Sequence, residues 1–304
     1  MAGRLLSRAL GTSASLLPSA GPASPCARSI AAVHTAHRNH SSHSSSILQV
    51  SQRDGVRRIV LNNEPKRNAL SYAMLEALGT ALMPSEDAKR DENLSCVVIS
   101  AKGKVFSSGH DLSELRQPIS SPTPKELFDL CSFVMQTIHN FPVPVVAQVA
   151  GLATAAGCQL VASCDMVLAG ESARFATPGV NIGLFCTTPS VPLLRCISEK
   201  KGAYMLFTGE PISAQEALIH GLVSKVVPDD ELESATNSLV NHLSGLSKEV
   251  LTHGKVALSE IAKEKSLESA YRVASHYMAQ NAKLDDCQEG IDAFFGKRKP
   301  NWKD

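Results

Sequence analysis

No aspartate or glutamate occurs before Asp54 in this chain of 304 residues. Residues 1 to 46 instead carry Arg4, Arg8, Arg28 and Arg38 among many Ser and Ala. Met1 to Leu17 has the pattern of a basic amphipathic helix, with Leu5, Leu6, Leu10, Leu16 and Leu17 set against Arg4 and Arg8. Acid-poor, Arg- and Ser-rich leaders of this kind are mitochondrial transit peptides. The arginines break the apolar stretch too often for a secretory signal. The expectation is a disordered targeting segment over 1–46 and a protein of the mitochondrial matrix.

Other absences narrow the function. No run approaches the roughly 18 apolar residues of a membrane span, so no transmembrane segment is expected. Net charge is +1 and the basic residues are dispersed, which argues against a nucleic-acid partner. There is no Cys-x-x-Cys, and the eight cysteines (26, 96, 131, 158, 164, 186, 196 and 287) are scattered, mostly in apolar runs. They read as buried free thiols in a reducing compartment. His34, His37, His40 and His43 recur every three residues. They lie in the Ser-rich leader, which offers no fixed geometry, so no metal site is expected. No internal repeat is visible.

What is present is a 43% hydrophobic chain that alternates strand, loop and helix. Asp54-Gly55, between Ile47–Gln52 and Val56–Leu61, is a hairpin signal. Ser71 is placed to cap a helix whose apolar stripe is Ala73, Met74, Ala77, Leu78, Ala81 and Leu82, with Pro84 as its stop. Ser95–Ser100 and Asp165–Ala169 read as buried strands, Val223–Val227 as a short one, and 175–183 as a loop. Ser213 and Glu216 form a capping box before a helix that Gly221 ends, and helices dominate from about 189 onward.

Two stretches hold the chemistry. Val143 to Ala150 predicts a buried strand. A turn of small residues, Gly151-Leu-Ala-Thr-Ala-Ala-Gly157, follows, and then a helix over Gly157 to Ser163. Small residues let a ligand or second backbone approach closely, and N–H groups at a helix start suit an oxyanion. The turn lacks the dinucleotide pattern G-x-G-x-x-G, Asp165 comes too early for a ribose partner, and no P-loop Lys follows. The second stretch is Phe106-Ser-Ser-Gly-His-Asp-Leu112. Asp111 and Glu114 have capping-box spacing. Ser108, His110 and Asp111 are too close in sequence to form a relay triad. The terminal helix, from Glu289, runs into a basic tip.

These stretches, with Lys66-Arg-Asn-Ala-Leu70, Cys164-Asp165, Phe175 with Pro178, 206–217 with Gly221-Leu-Val, and Glu289 to Lys299, resemble the enoyl-CoA hydratase/isomerase (crotonase) family over residues 47–304. The resemblance implies an α/β fold: a crotonase spiral of ββα units over 47–230, with a C-terminal helical trimerisation region over 231–304. It implies homotrimers or homohexamers, fatty-acid metabolism and an acyl-CoA thioester as ligand or substrate, with no other cofactor. It places the thioester oxygen between the backbone N–H groups of His110 and Ala156, flanked by Gly109, Asp111 and Gly157. It maps the CoA loop to Lys66, Arg67 and Ala69, and adenine-end contacts to Met278 and Lys297.

The two glutamates of family hydratases fall on Gln159 and Gly179. Gln159 has no basic group but is still able to orient a water, and Gly179 is expected to leave only open space. No acidic residue lies in Pro178–Arg195. The leading expectation is therefore an acyl-CoA-binding protein without hydratase activity. One alternative is a malonyl-type decarboxylase, which needs only the oxyanion hole. Another is a hydratase or isomerase that uses an unusual base, Glu114 or His110.

Overall fold

The computed structural model describes residues 46–83, 93–118 and 122–303. The leader helix, the four leader histidines, Cys26 and Pro84 lie outside the described residues.

The hairpin forms as its sequence dictates. β1 (Leu48–Arg53) and β2 (Val56–Leu61) pair antiparallel around Asp54 and Gly55, whose φ angles are 50° and 74°. Positive φ at both central residues matches the twist of the flanking strands, and Asp-Gly is suited to it. Helix α1 (Tyr72–Ala81) begins at Ser71, whose Oγ accepts from the Met74 N–H.

The chain then climbs in repeated turns, each giving one strand to each of two sheets. β3 (Cys96–Ala101) and β4 (Val105–Ser107) make the first turn, closed by α2 (Pro124–His139). β5 (Val145–Val149), β6 (Leu152–Thr154) and α3 (Ala156–Ala162) make the second. β7 (Met166–Gly170), β8 (Arg174–Ala176) and α4 (Thr187–Cys196) make the third. α5 (Glu199–Thr208), β9 (Ile212–Ser213), α6 (Ala214–His220) and β10 (Lys225–Val227) follow. The large sheet runs β1-β2-β3-β5-β7-β10, parallel except for the hairpin. The small one runs β4-β6-β8-β9, with only β8–β9 antiparallel. This is the expected crotonase-type spiral of ββα units.

The small-residue stretch read as a plain turn contains β6, because Leu152–Thr154 pairs with both β4 and β8. The segment read as one loop over 175–183 begins inside β8 and continues as a 3-10 turn, Pro178–Ile182. Strands this short carry too few residues to show a periodicity.

The central strands β3, β5 and β7 are apolar on both faces, as buried parallel strands are. Val56, Cys96, Val98, Val146, Leu168 and Val227 pack beneath Leu232, Val240 and Leu243 of α7 (Leu232–Ser244). α8 (Lys248–Ile261), α9 (Leu267–Asn281) and α10 (Asp285–Phe295) complete the chain. α8 is pinned by Lys255, whose ammonium donates to the Ile138 and Val143 carbonyls and to Asp165 (2.6 Å). Asp165 also accepts from the Val145 N–H at 2.7 Å. Its role is thus to join the β5 entrance to the C-terminal helices. Neither α8 nor α9 buries a residue fully, and Leu258, Leu267, Tyr271, Phe294 and Phe295 are exposed.

Candidate functional site

The site is built where two loops cross. The first contains Lys66, Arg67 and Ala69. Arg67 and Asn68 both have φ of 51°, a left-handed conformation that Asn tolerates better than most residues. Asn68 is fully buried. Its Nδ2 donates to the Lys102 and Val105 carbonyls, and its Oδ1 accepts from the Asn63 N–H, each at 2.8 Å. The loop is then stitched to the next one: Ser108 N–H donates to the Arg67 carbonyl (3.0 Å) and Leu70 N–H to the Gly109 carbonyl (2.8 Å).

The second contact is a mutual approach of two glycines. Gly109 has a φ of 84°, and a Cβ there would sit 2.8 Å from the Ala155 Cβ and 3.2 Å from the Ala156 nitrogen. A Cβ on Gly157 would sit 2.6 Å from the Ser107 carbonyl oxygen. Both positions therefore require glycine, and β4 and α3 touch through backbone. Between them Ala155 adopts φ 51°, ψ −119°, a sparsely populated conformation for a residue with a Cβ. It is held there by its N–H bond to the Ala176 carbonyl at 2.9 Å. The result is that Ala156 opens α3 with a free N–H. Among the described residues neither that N–H nor the one of His110 donates to any group of the chain.

Both residues line one cavity of about 540 Å³, with Ser108, Thr154 and Ala155 on the same side. The rest of the lining is largely apolar and includes Leu112, Phe128, Ile182, Leu184 and Phe185. Among the described residues that line it there is no carboxylate, lysine or arginine. A second concavity of about 550 Å³, between Gln52–Gly55, Ser244 and Lys248, is lined by polar and charged residues.

The His110 Nδ1–H donates to the Leu70 carbonyl at 3.2 Å, which fixes the tautomer and leaves Nε2 as a bare acceptor. Nε2 is buried without a partner, and the ring meets Phe128 edge-on at 5.2 Å. Burial pushes its pKa down, with the Leu70 bond opposing, so the imidazole is neutral at physiological pH. Asp111 caps the 3-10 turn Leu112–Leu115, accepting from Ser113 N–H and Oγ–H, and pairs with Lys66 at 3.6 Å. The Ser113 hydroxyl is the main cause of its lowered pKa.

The expected capping box at this turn is only half present. Glu114 does not reach back to Asp111; its carboxylate accepts from the Tyr72 N–H at 3.0 and 3.2 Å, at the start of α1. A four-residue 3-10 turn does not present the reciprocal geometry, and α1 offers an orphan donor nearby. Burial raises the Glu114 pKa and the Tyr72 bond opposes this. Glu114 does not line the cavity, so it is not placed as a base there.

Gln159 is 3% exposed, with Oε1 3.9 Å from the Cys131 sulfur, and it does not line the cavity either. The expectation of open space at Gly179 is overturned. A Cβ there would collide with the Leu184 carbonyl oxygen and meet the Cys186 sulfur at 2.9 Å. The Leu184 N–H donates back to the Gly179 carbonyl at 2.9 Å, closing the loop on itself. Met278, 71% exposed on α9, and Lys297, just past α10, lie away from the cavity. Sequence reasoning missed three contributors. Asn68 was legible as an Asn in a Pro-containing loop; the strain at Ala155 and the approach of Cys186 left no signal.

A mixed two-sheet ββα spiral with paired free backbone donors over an apolar cavity defines a crotonase-type protein. The chain belongs to the enoyl-CoA hydratase/isomerase family, whose model matches residues 51–304. It is 52% identical over 251 residues to mouse enoyl-CoA hydratase domain-containing protein 3, mitochondrial, covering 83% of this chain and 82% of that one. It is 33% identical to 2,3-dehydroadipyl-CoA hydratase of Escherichia coli K12, covering 85% and 99%. The crystal structure of human enoyl coenzyme A hydratase domain-containing protein 3 superposes with a TM-score of 0.81 at 51% identity, over 84% of this chain and all of that one. The mitochondrial name of the mouse relative agrees with the localisation expected from the leader.

Proposed function

We propose that this chain binds an acyl-CoA thioester in mitochondrial fatty-acid metabolism and does not hydrate enoyl-CoA. The thioester oxygen lies between the His110 and Ala156 N–H groups, and the acyl chain lies against Leu112, Phe128 and Phe185. The observation that carries this reading is the closed Gly179–Leu184 loop in a cavity without carboxylates. Hydration needs a base for water and an acid for Cα, each worth about 10²–10⁴ in rate. A pair of N–H donors alone polarises the thioester, at about 10²–10³ per donor, without activating water. Lys66 and Arg67, fixed by Asn68, take the CoA phosphates. The exposed apolar side chains of α9 and α10 support a homotrimer or homohexamer, in which Met278 and Lys297 reach a neighbouring CoA site.

The cavity also favours a second reading. A malonyl-type carboxylate placed there meets no cation. Loss of CO₂ moves that charge onto the thioester oxygen, as an enolate held by the two donors. Protein starting near residue 47 is to be incubated with crotonyl-, malonyl- and methylmalonyl-CoA. Affinity is followed by calorimetry and turnover by mass. Tight binding without hydration or CO₂ loss is expected; CO₂ loss would establish the second reading, and rapid crotonyl-CoA hydration would overturn both.

A further inference from the structure

We propose that Cys186 is an acyl acceptor: its thiol takes the acyl group from a CoA thioester held in the oxyanion hole. The inference rests on the acyl-CoA reading above. Cys186 lines the same cavity as His110 and Ala156 and is its only thiol among the described residues. It stands at the N-cap of α4, a ten-residue helix, where the helix start favours a thiolate. α4 packs on α3, the helix that Ala156 opens and that carries Cys158 two residues further on. The Cys186 sulfur fills the place beside Gly179, 2.9 Å from where a Cβ on that residue would sit.

A second, independent feature points to a bound ligand. Thr154 is 9% exposed and lines the same cavity, and its Oγ1 has no partner. Buried hydroxyls are almost always bonded, so this one awaits a polar atom brought from outside. Cys158, by contrast, is buried behind the cavity and lines no part of it.

The reaction balances without a further reagent. The thiol proton passes to water and the sulfur attacks the thioester carbonyl carbon. The carbonyl electron pair moves onto the oxygen held by the His110 and Ala156 N–H groups. When it returns, the bond to the CoA sulfur breaks, leaving acyl-Cys186, and the CoA thiolate takes a proton from water. Burial raises the Cys186 pKa while the Gly179 N–H opposes. Among the described residues no charged side chain lines the cavity to reverse that. Acylation therefore quickens as pH rises from 7 to 9.

The test uses the full-length chain and butyryl-CoA, a saturated probe that admits no conjugate addition. Intact mass spectrometry with peptide mapping is run beside calorimetric binding. The expected result is one butyryl group on Cys186, one equivalent of CoA released, and loss of the adduct in Cys186→Ser but not in Cys287→Ser. Binding with no adduct, or an adduct on another residue, overturns the proposal and leaves the acyl-CoA reading standing. No binding overturns both. A thermal melt of Cys186→Ser like that of the parent shows that the lost adduct reflects chemistry and not unfolding. If that variant melts early, Cys186→Ala with a native melt is read in its place.

Discussion

The side-chain direction at Gly179 ends on the carbonyl oxygen of Leu184. This contact gives the absent carboxylate a structural cause, because the loop has closed over the place where a side chain would go. Gly179→Glu, alone or with Gln159→Glu, is expected to cost about 1–3 kcal/mol by overpacking and to create no hydratase. Thermal melting and crotonyl-CoA absorbance check it; a stable, active double variant would show that the loop opens readily.

Asn68 holds the loop of Lys66, Arg67 and Ala69 with three hydrogen bonds from a fully buried side chain. Asn68→Ala leaves the Lys102 and Val105 carbonyls and the Asn63 N–H without it. A loss of about 2–4 kcal/mol follows, together with weaker acyl-CoA binding. Denaturant unfolding and calorimetry on the same sample measure both. A variant that binds normally would separate the loop from the ligand.

His110 is neutral in the fold, with an unpartnered Nε2 and a lowered pKa. The unfolded chain therefore binds a proton more readily than the folded one. Stability is full above the ordinary histidine value of 6.5 and falls as pH drops from there through the folded pKa. Urea unfolding between pH 7.5 and 5.5 should show a smaller acid loss in His110→Gln. An equal loss would assign the dependence to other groups.

Ala155 pays for its φ of 51° and ψ of −119° with strain of order 1–3 kcal/mol. Ala155→Gly relieves it, offset by about 0.5–1 kcal/mol of extra chain entropy. A net gain of about 1 kcal/mol is expected in the melt, with acyl-CoA affinity unchanged. A destabilised variant would mean that the Cβ contact toward Gly109 matters more than the strain.

The hairpin, the Ser71 cap, the Ser213–Glu216 box and the main strands were legible because each rests on neighbours in sequence. Hairpin chemistry sits in two adjacent residues, capping in four, and a buried strand in one apolar run. The close approach of the His110 and Ala156 loops was legible through resemblance, since Gly109 and Gly157 stand in recognisable motifs. Glu114 was misread because its partner, Tyr72, lies forty-two residues away. Short strands such as β6 and β8 were missed because three residues carry no period.

By itself, then, the sequence determined the spiral's repeating units, the glycines where backbones meet, and the absence of a carboxylate at positions 159 and 179. Tertiary structure alone decided that Gly179 faces a carbonyl rather than space. It also turned Gln159 toward Cys131 and drew Cys186 into the wall of the cavity that His110 and Ala156 line. The physical reason is that residue type and spacing fix local hydrogen bonding and polarity. Which atoms occupy a given volume is set only when distant segments pack against one another.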